Sequence, residues 1–517
     1  MASRFENTLF NLVAAWGGQI VSMVMTFATR AVFVRMLSIE YLGIESLFTN
    51  LLVILSLAEL GVGTAITYAL YKPIADNDTE AIKSLMRVFR HAYWAIGIVV
   101  AVVGVAMSPF LDMLIEDPPN IAHLQVYFLC FVANTAVSYF FSYKGLLLYA
   151  YQRQYVTSLI SYGAQIVMCV VQMVILVLTH NYLAFLLCMI AGTLAQNIII
   201  SFFADAQYPY LKESGARKLS REELTPIVKN VLALTMHKVA GVAASPIGSV
   251  LVSKFVGVAA IAVYGNFVLL VDALWRILDK VFNSAIASVG NMSSQTDPER
   301  QYRVFQDAFF VSAVLYTVCA GAFLCCANDF VSVWLGAEYC YPSITVILLA
   351  TWFFVKGMRS AEQMFTSAYG LFWRSWYKAI IETLVMVASA YVLVRLWGVN
   401  GVVTAGIATQ LLVATTIEVH VLYKFGFQRS ALQYVKQAGK YYMSALLIVA
   451  LCFGVCSLIP LAGVAGFFVH GAVAVAFCTG CMILLYRRTP EFARFKGIIG
   501  RVGDVLGRKL RPRAPKA

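Results

Sequence analysis

The chain has 517 residues, of which 61% are hydrophobic and only 13% charged, with a mean hydropathy of +0.78. That balance excludes a soluble enzyme and fits a chain living mostly in hydrocarbon. The net charge of +13 comes from loops between apolar segments and from a basic tail, so it marks membrane topology and not a nucleic-acid partner.

Fourteen apolar segments follow in chain order, each near the length a helix needs to cross about 30 Å of bilayer core. They fall at 8–34, 44–70, 91–111, 121–143, 156–178, 182–204, 230–253, 260–290, 304–335, 342–369, 379–394, 399–423, 441–460 and 463–486. The first continues through Arg30 with no small-residue cleavage site, which predicts a retained helix and not a signal peptide. With the N-terminus in the cytoplasm, only Arg35, Lys254 and Arg395 among the basic residues fall in outer loops. The positive-inside rule supports that orientation, and an even number of spans returns the C-terminus to the cytoplasm.

The tail places Phe492, Phe495, Ile499, Val502 and Leu506 at helical spacing among Arg494, Lys496, Arg501, Arg508 and Lys509. This predicts an amphipathic helix resting on anionic lipid. Ten of the eleven cysteines lie inside apolar segments, Cys340 sits alone at an outer end, and no disulfide framework is visible. The CTGC at Cys478 to Cys481 reads as small residues within a lipid-embedded helix. His91, His420 and His470 stand as isolated residues.

The chain repeats itself. RMLSIEYLGIESLFTN after the first segment corresponds to KFVGVAAIAVYGNFVLLVD after the seventh, aligning Gly43 with Gly265. YAYQRQY and YGLFWRSWY place Arg153 opposite Arg374 at the same offset to within one residue. Such an offset predicts duplication of a six-helix unit about an axis along the membrane normal, with binding sites between the copies. The expected fold is an all-α polytopic membrane protein of about fourteen transmembrane helices. Two pseudo-repeated six-helix lobes, 1–204 and 230–425, would surround a central cavity, joined by a cytoplasmic connector at 205–229. Two additional C-terminal helices at 426–486 and a basic cytoplasmic tail at 487–517 complete the layout.

Six basic residues lie inside apolar segments, where charge is expensive: Arg30, Lys238, Arg276, Lys280, Lys356 and Arg359. Helix 1 carries a polar stripe of Gln19, Ser22, Thr26 and Arg30, helix 2 carries Glu59, helix 7 carries His237 and Lys238, and helix 8 carries Asp272, Arg276, Asp279 and Lys280. The expected site is a cavity lined by Arg30, Arg276, Lys280 and Lys238 with Gln19 and Thr26. Four cations there suit a phosphate-bearing substrate. The other reading is neutralisation by local acids, Asp272 with Arg276 and Asp279 with Arg276 or Lys280. Lys356, Arg359 and Glu362 form a second cluster that reads as structural pairing. Glu59 and Asp272 are candidates for ion coupling. Gly241, Pro246 and Gly248 form a candidate hinge, because an interior proline breaks a helical hydrogen bond. No catalytic residue, cofactor motif or metal-ligand spacing appears in a plausible context.

The stretches VRMLSIEYLGIESLFTNLLVILSLAELGVGTAITYALY, LLLYAYQRQY and WYKAIIETLVMVASAYVLVRLWGVNGVVTAGIAT resemble the multidrug/oligosaccharidyl-lipid/polysaccharide exporter superfamily. Within it they are similar to the Wzx-like polysaccharide (O-antigen type) flippases. That resemblance implies two six-helix lobes in a V that alternate between inward-open and outward-open states. The implied cargo is a polyprenyl-diphosphate-linked oligosaccharide, carried across the bacterial cytoplasmic membrane for surface polysaccharide biosynthesis. Membrane lipids, a polysaccharide polymerase and glycosyltransferases are the implied partners. A cation-coupled multidrug antiporter of the same superfamily is the competing expectation, with Glu59, Asp272 and Glu418 as its acids. The helix count also resembles the lipid II flippases. A membrane-embedded glycosyltransferase would want a large extramembrane loop, and the chain offers none.

Overall fold

The structure is a computed structural model that describes residues 4–59, 62–113, 121, 123–151, 153–213, 217, 219–225, 227–229, 231, 244–295 and 297–497. These residues are helical almost throughout, with no strand among them. Twelve stretches are long and apolar enough to cross a membrane, and each overlaps one of the spans expected from the sequence. The protein is therefore a multi-pass helical membrane protein.

The chain forms two compact units, Met1–Gly265 and Asn266–Ala517. The first contains α1 (Arg4–Met36), α2 (Ile39–Leu55), α3 (Val62–Ala75), α4 (Thr79–Met107), α5 (Leu124–Ala150), α6 (Gln154–Thr179), α7 (Tyr182–Gln207) and α8 (Ala244–Phe255). The junction between units falls inside α9 (Val258–Gln295). The second unit continues with α10 (Pro298–Trp334), α11 (Ser343–Met358), α12 (Ser360–Ala368), α13 (Trp376–Trp397), α14 (Val399–Thr409), α15 (Thr416–Val421), α16 (Leu432–Ser457) and α17 (Gly463–Tyr486).

Two expected spans are not single long helices among the described residues. The stretch 44–70 divides at SLAE, where Ser56–Glu59 form a 3₁₀ turn between α2 and α3. α2 has 17 residues and α3 has 14, each short of the roughly 20 a full crossing takes. Of the stretch 230–253, residues 230 and 232–243 lie outside the described residues, and 244–253 enter α8.

Local chemistry sets the helix ends. Asp78 accepts from the Ala81 backbone N–H at 2.9 Å, and Asn181 from Ala184 at 3.1 Å, so each satisfies a donor that the first turn leaves open. Asp297 caps α10 with Pro298 just behind it. Gly398, at φ +57°, turns α13 into α14.

In the first unit α5 packs against α4 and α7, and α1 against α6. Phe48 meets Phe128 and Phe131 edge-on, and Phe33 meets Tyr182 and Phe185. In the second unit α10, at 37 residues, extends about 55 Å and overruns the bilayer core. It packs against α11, α16 and α17, burying Phe305, Phe309 and Phe310 among Tyr423, Tyr434, Tyr441 and Tyr486.

The start of the tail also joins this aromatic core. Phe492 and Phe495 stand edge-on to Phe310, and Arg494 Nε donates to Asp307 at 2.7 Å. The expectation of a tail resting on lipid is corrected for these residues, because α10 supplies both the apolar ring and the carboxylate they need. Ile499, Val502 and Leu506 lie outside the described residues.

Candidate functional site

The polar stripe of α1 is partly satisfied from within the first unit. Ser22 Oγ donates to Gln165 of α6 at 2.5 Å, and Thr26 Oγ1 donates back to the Ser22 carbonyl at 2.9 Å. Gln19 lies half-buried on the same helix. Arg30 differs from these residues. Its Nε and one terminal nitrogen are buried with no hydrogen-bond acceptor, although half-buried Glu45 of α2 supplies an opposite charge nearby. Gly265 of α9 leaves room for this guanidinium: a Cβ there would lie 3.4 Å from Arg30 and 3.3 Å from Ser46 Oγ. Guanidinium donors buried without an acceptor are unusual, because each costs its hydration free energy. Glu59, at the break between α2 and α3, receives the Tyr93 hydroxyl at 3.3 Å. Lys238, His237 and Gly241 lie outside the described residues, while Pro246 and Gly248 fall in α8.

The acids of α9 pair differently from expectation. Asp272 Oδ1 receives Lys356 of α11 at 3.3 Å, and that ammonium also sits 4.2 Å from the Trp275 ring and 5.3 Å from Trp352. Asp279 receives the Asn283 amide one turn on. Neutralisation of Arg276 and Lys280 by these acids is therefore corrected: a cation on α11 and an amide on the same helix take the carboxylates. Among the described residues neither Arg276, which is exposed, nor Lys280 forms an ion pair.

Lys356 and Arg359 do pair structurally, but Glu362 takes no salt bridge from either. Arg359 forks onto Glu418 of α15, Nε to Oε2 at 2.9 Å and a terminal nitrogen to Oε1 at 2.7 Å. It also donates to Gln410 and approaches Glu382 of α13 at 3.9 Å. Lys378 closes the network, 2.6 Å from Glu418 and 3.7 Å from Glu382. Glu362 is fully buried beside the Tyr434 and Tyr442 hydroxyls. Gln410–Thr415 and Leu422–Phe427 are π-helical, so the helix widens on both sides of α15.

Reading the sequence missed Lys378, Glu382 and Gln410. The i, i+4 spacing of Lys378 and Glu382 was a usable signal for a pair. Nothing local marks Gln410, because two π-turns shift the helical register around it. His470 also has partners that its sequence context does not suggest: Asp329 at 2.6 Å and the Ile459 carbonyl at 3.3 Å.

The fold is that of transporters in the multidrug/oligosaccharidyl-lipid/polysaccharide exporter superfamily. A lipid II flippase, MurJ, in an inward closed conformation superposes with a TM-score of 0.68 at 10% identity, over 93% of this chain and 99% of that one. An inward-facing multidrug resistance transporter of the superfamily gives 0.59 at 14% identity, over 80% and 99%. A Pyrococcus furiosus superfamily transporter, described as having a binding pocket of reversed polarity, gives 0.53 at 13% identity, over 81% and 96%. The sequence profile described as polysaccharide biosynthesis protein matches residues 32–343, and the chain belongs to that family. Comparison with curated protein sequences gives no significant match.

Proposed function

We propose that this protein is a flippase that carries a polyprenyl-diphosphate-linked oligosaccharide across the bacterial cytoplasmic membrane by alternating access, for surface polysaccharide biosynthesis. Both termini then lie in the cytoplasm. The observation that carries the reading is Arg30: buried guanidinium donors with no acceptor in a member of a polysaccharide biosynthesis family. A diphosphate offers oxygens that match a guanidinium fork. Arg276 and Lys280, without ion pairs among the described residues, are the next substrate contacts, with Lys238, Gln19 and Thr26 completing the set. Glu59 and Asp272 are the proposed coupling acids, and Gly241, Pro246 and Gly248 the proposed hinge.

The test is complementation of a strain lacking its own oligosaccharide flippase. Arg30→Ala and Arg276→Ala are expected to abolish surface polysaccharide while membrane abundance of the protein stays unchanged. Normal glycan display by both variants overturns the assignment. The structural likeness to a lipid II flippase supports a second reading, in which the diphosphate lipid carries a cell-wall precursor. Rescue of cells depleted of their lipid II flippase, without rescue of polysaccharide, selects it. A changed drug tolerance with intact glycan selects the multidrug antiporter.

A further inference from the structure

Four cysteines from three helices converge in the second unit. Cys325 of α10 and Cys452 and Cys456 of α16 place their sulfurs within 4.8 Å of one another. Cys452 and Cys456 are one turn apart and share a face. The Cys325 and Cys452 sulfurs are 3.9 Å apart. Cys478 of α17 approaches the same stretch of α10, beside Gly321. Gly321 of α10 makes space for it: a Cβ there would meet Cys478 Sγ at 2.6 Å and Cys452 Sγ at 4.0 Å. Cys452, Cys456 and Cys478 are buried and Cys325 is half-buried.

We infer that Cys325, Cys452 and Cys456, with Cys478 as the fourth donor, form a site for a thiophilic divalent cation of the zinc class. Tetrahedral thiolate coordination at about 2.3 Å holds sulfurs roughly 3.8 Å apart, close to the 3.9 Å between Cys325 and Cys452. A disulfide would use two of these sulfurs and leave the convergence of the other two unexplained. Soft sulfur donors without hard oxygen ligands select d¹⁰ ions over magnesium or calcium. Neighbouring polar groups are engaged elsewhere. His470 spends its two ring nitrogens on Asp329 and the Ile459 carbonyl, and Cys326 donates to the Phe467 carbonyl at 3.6 Å. Each sulfur that coordinates as thiolate releases one proton to solvent, and the divalent cation offsets two of the negative charges so formed. The bound ion would pin α16 and α17 onto α10.

The experiment uses the purified full chain, reduced and stripped with chelator, and titrates it with Cd(II), whose thiolate complexes absorb in the ultraviolet. Expected are saturable uptake of about one Cd(II) per chain and a higher melting temperature with metal than without. Cys452→Ser should weaken uptake at least about 100-fold and remove the melting shift, whereas Cys130→Ser keeps both. Should Cys452→Ser fail to fold, Cys325→Ser at the half-buried position gives the same reading. Absence of saturable uptake overturns the site, as does uptake that survives both Cys325→Ser and Cys452→Ser. A Cys325 to Cys452 disulfide in isolated membranes, with no metal binding after reduction, also overturns it.

Discussion

Lys356 of α11 and Asp272 of α9 face each other at 3.3 Å, with the Trp275 ring 4.2 Å from the ammonium. The aromatic ring and the carboxylate together make a place for a cation inside an apolar helix pair. Because the two side chains remain 24% and 34% exposed, solvent screens part of the attraction. A double-mutant cycle with Asp272→Asn and Lys356→Met should therefore yield a coupling of about 1 kcal/mol in thermal stability. A coupling near zero would mean that the rings alone hold Lys356.

The Arg359 network should behave differently, since Arg359 and Glu418 are each only 5% exposed. Removing the guanidinium leaves Glu418 facing Lys378 alone, while Gln410 keeps only its bond to Glu382 and Glu382 only Gln410 and Lys378. Arg359→Met is expected to cost about 3–5 kcal/mol, the range for breaking a buried pair. Arg359→Lys should recover only part of that loss, because an ammonium cannot fork onto Glu418 while reaching Gln410. Melting curves of the detergent-solubilised variants check the order wild type, Lys, Met. Equal stability of all three would show that the network is not what holds the α11–α12 junction to α15.

Helix existence was readable because a long apolar run is a local property, and twelve of the expected spans recur among the described residues. Lateral pairing was not. Periodicity places Asp272 and Arg276 on one face of α9, yet Lys356 reaches Asp272 from another helix. Gln410 and Glu418 meet Arg359 only through a register widened by two π-turns. Cys325, Cys452 and Cys478 have no common spacing, and only the packing of α10, α16 and α17 unites them. At Phe492 and Phe495 the amphipathic pattern was right and its partner wrong, since Phe310 offers the same apolar contact as lipid. The buried donors of Arg30 were legible in part: position in the apolar run marked the residue, but not the lack of an acceptor.

Gly43 and Gly265 supply a prediction about close approach within the first unit. A Cβ at Gly43 of α2 would collide with the Val258 carbonyl, whereas one at Gly265 would meet only the ends of Ser46 and Arg30 at 3.3 and 3.4 Å. Backbone cannot yield as side-chain ends can. Gly43→Ala should destabilise by about 1–3 kcal/mol, measurable as a lower melting temperature and reduced membrane abundance. Gly265→Ala should leave stability nearly unchanged but shift the Arg30 guanidinium, and so, under the proposed function, lower surface polysaccharide. Equal stability losses at both positions would contradict this division.

The connector carries a pH-dependent cap. Ser220 and Glu223 form a reciprocal box: the Ser220 N–H donates to the Glu223 carboxylate at 2.8 Å, and the Glu223 N–H donates to Ser220 Oγ at 3.2 Å. Arg217 adds a third donor at 2.5 Å. The backbone bond from Ser220, followed by the Arg217 bond, holds the Glu223 carboxyl below its usual range. Because the folded value is the lower one, the cap is fully present above the unfolded value of about 4.3 and is lost as pH falls through the folded value. Amide exchange across residues 220–225 should therefore accelerate only in that acid window. Glu223→Gln should show faster exchange at neutral pH and no such window, since its amide is neutral throughout. An unchanged acid window in the glutamine variant would place the titrating group elsewhere.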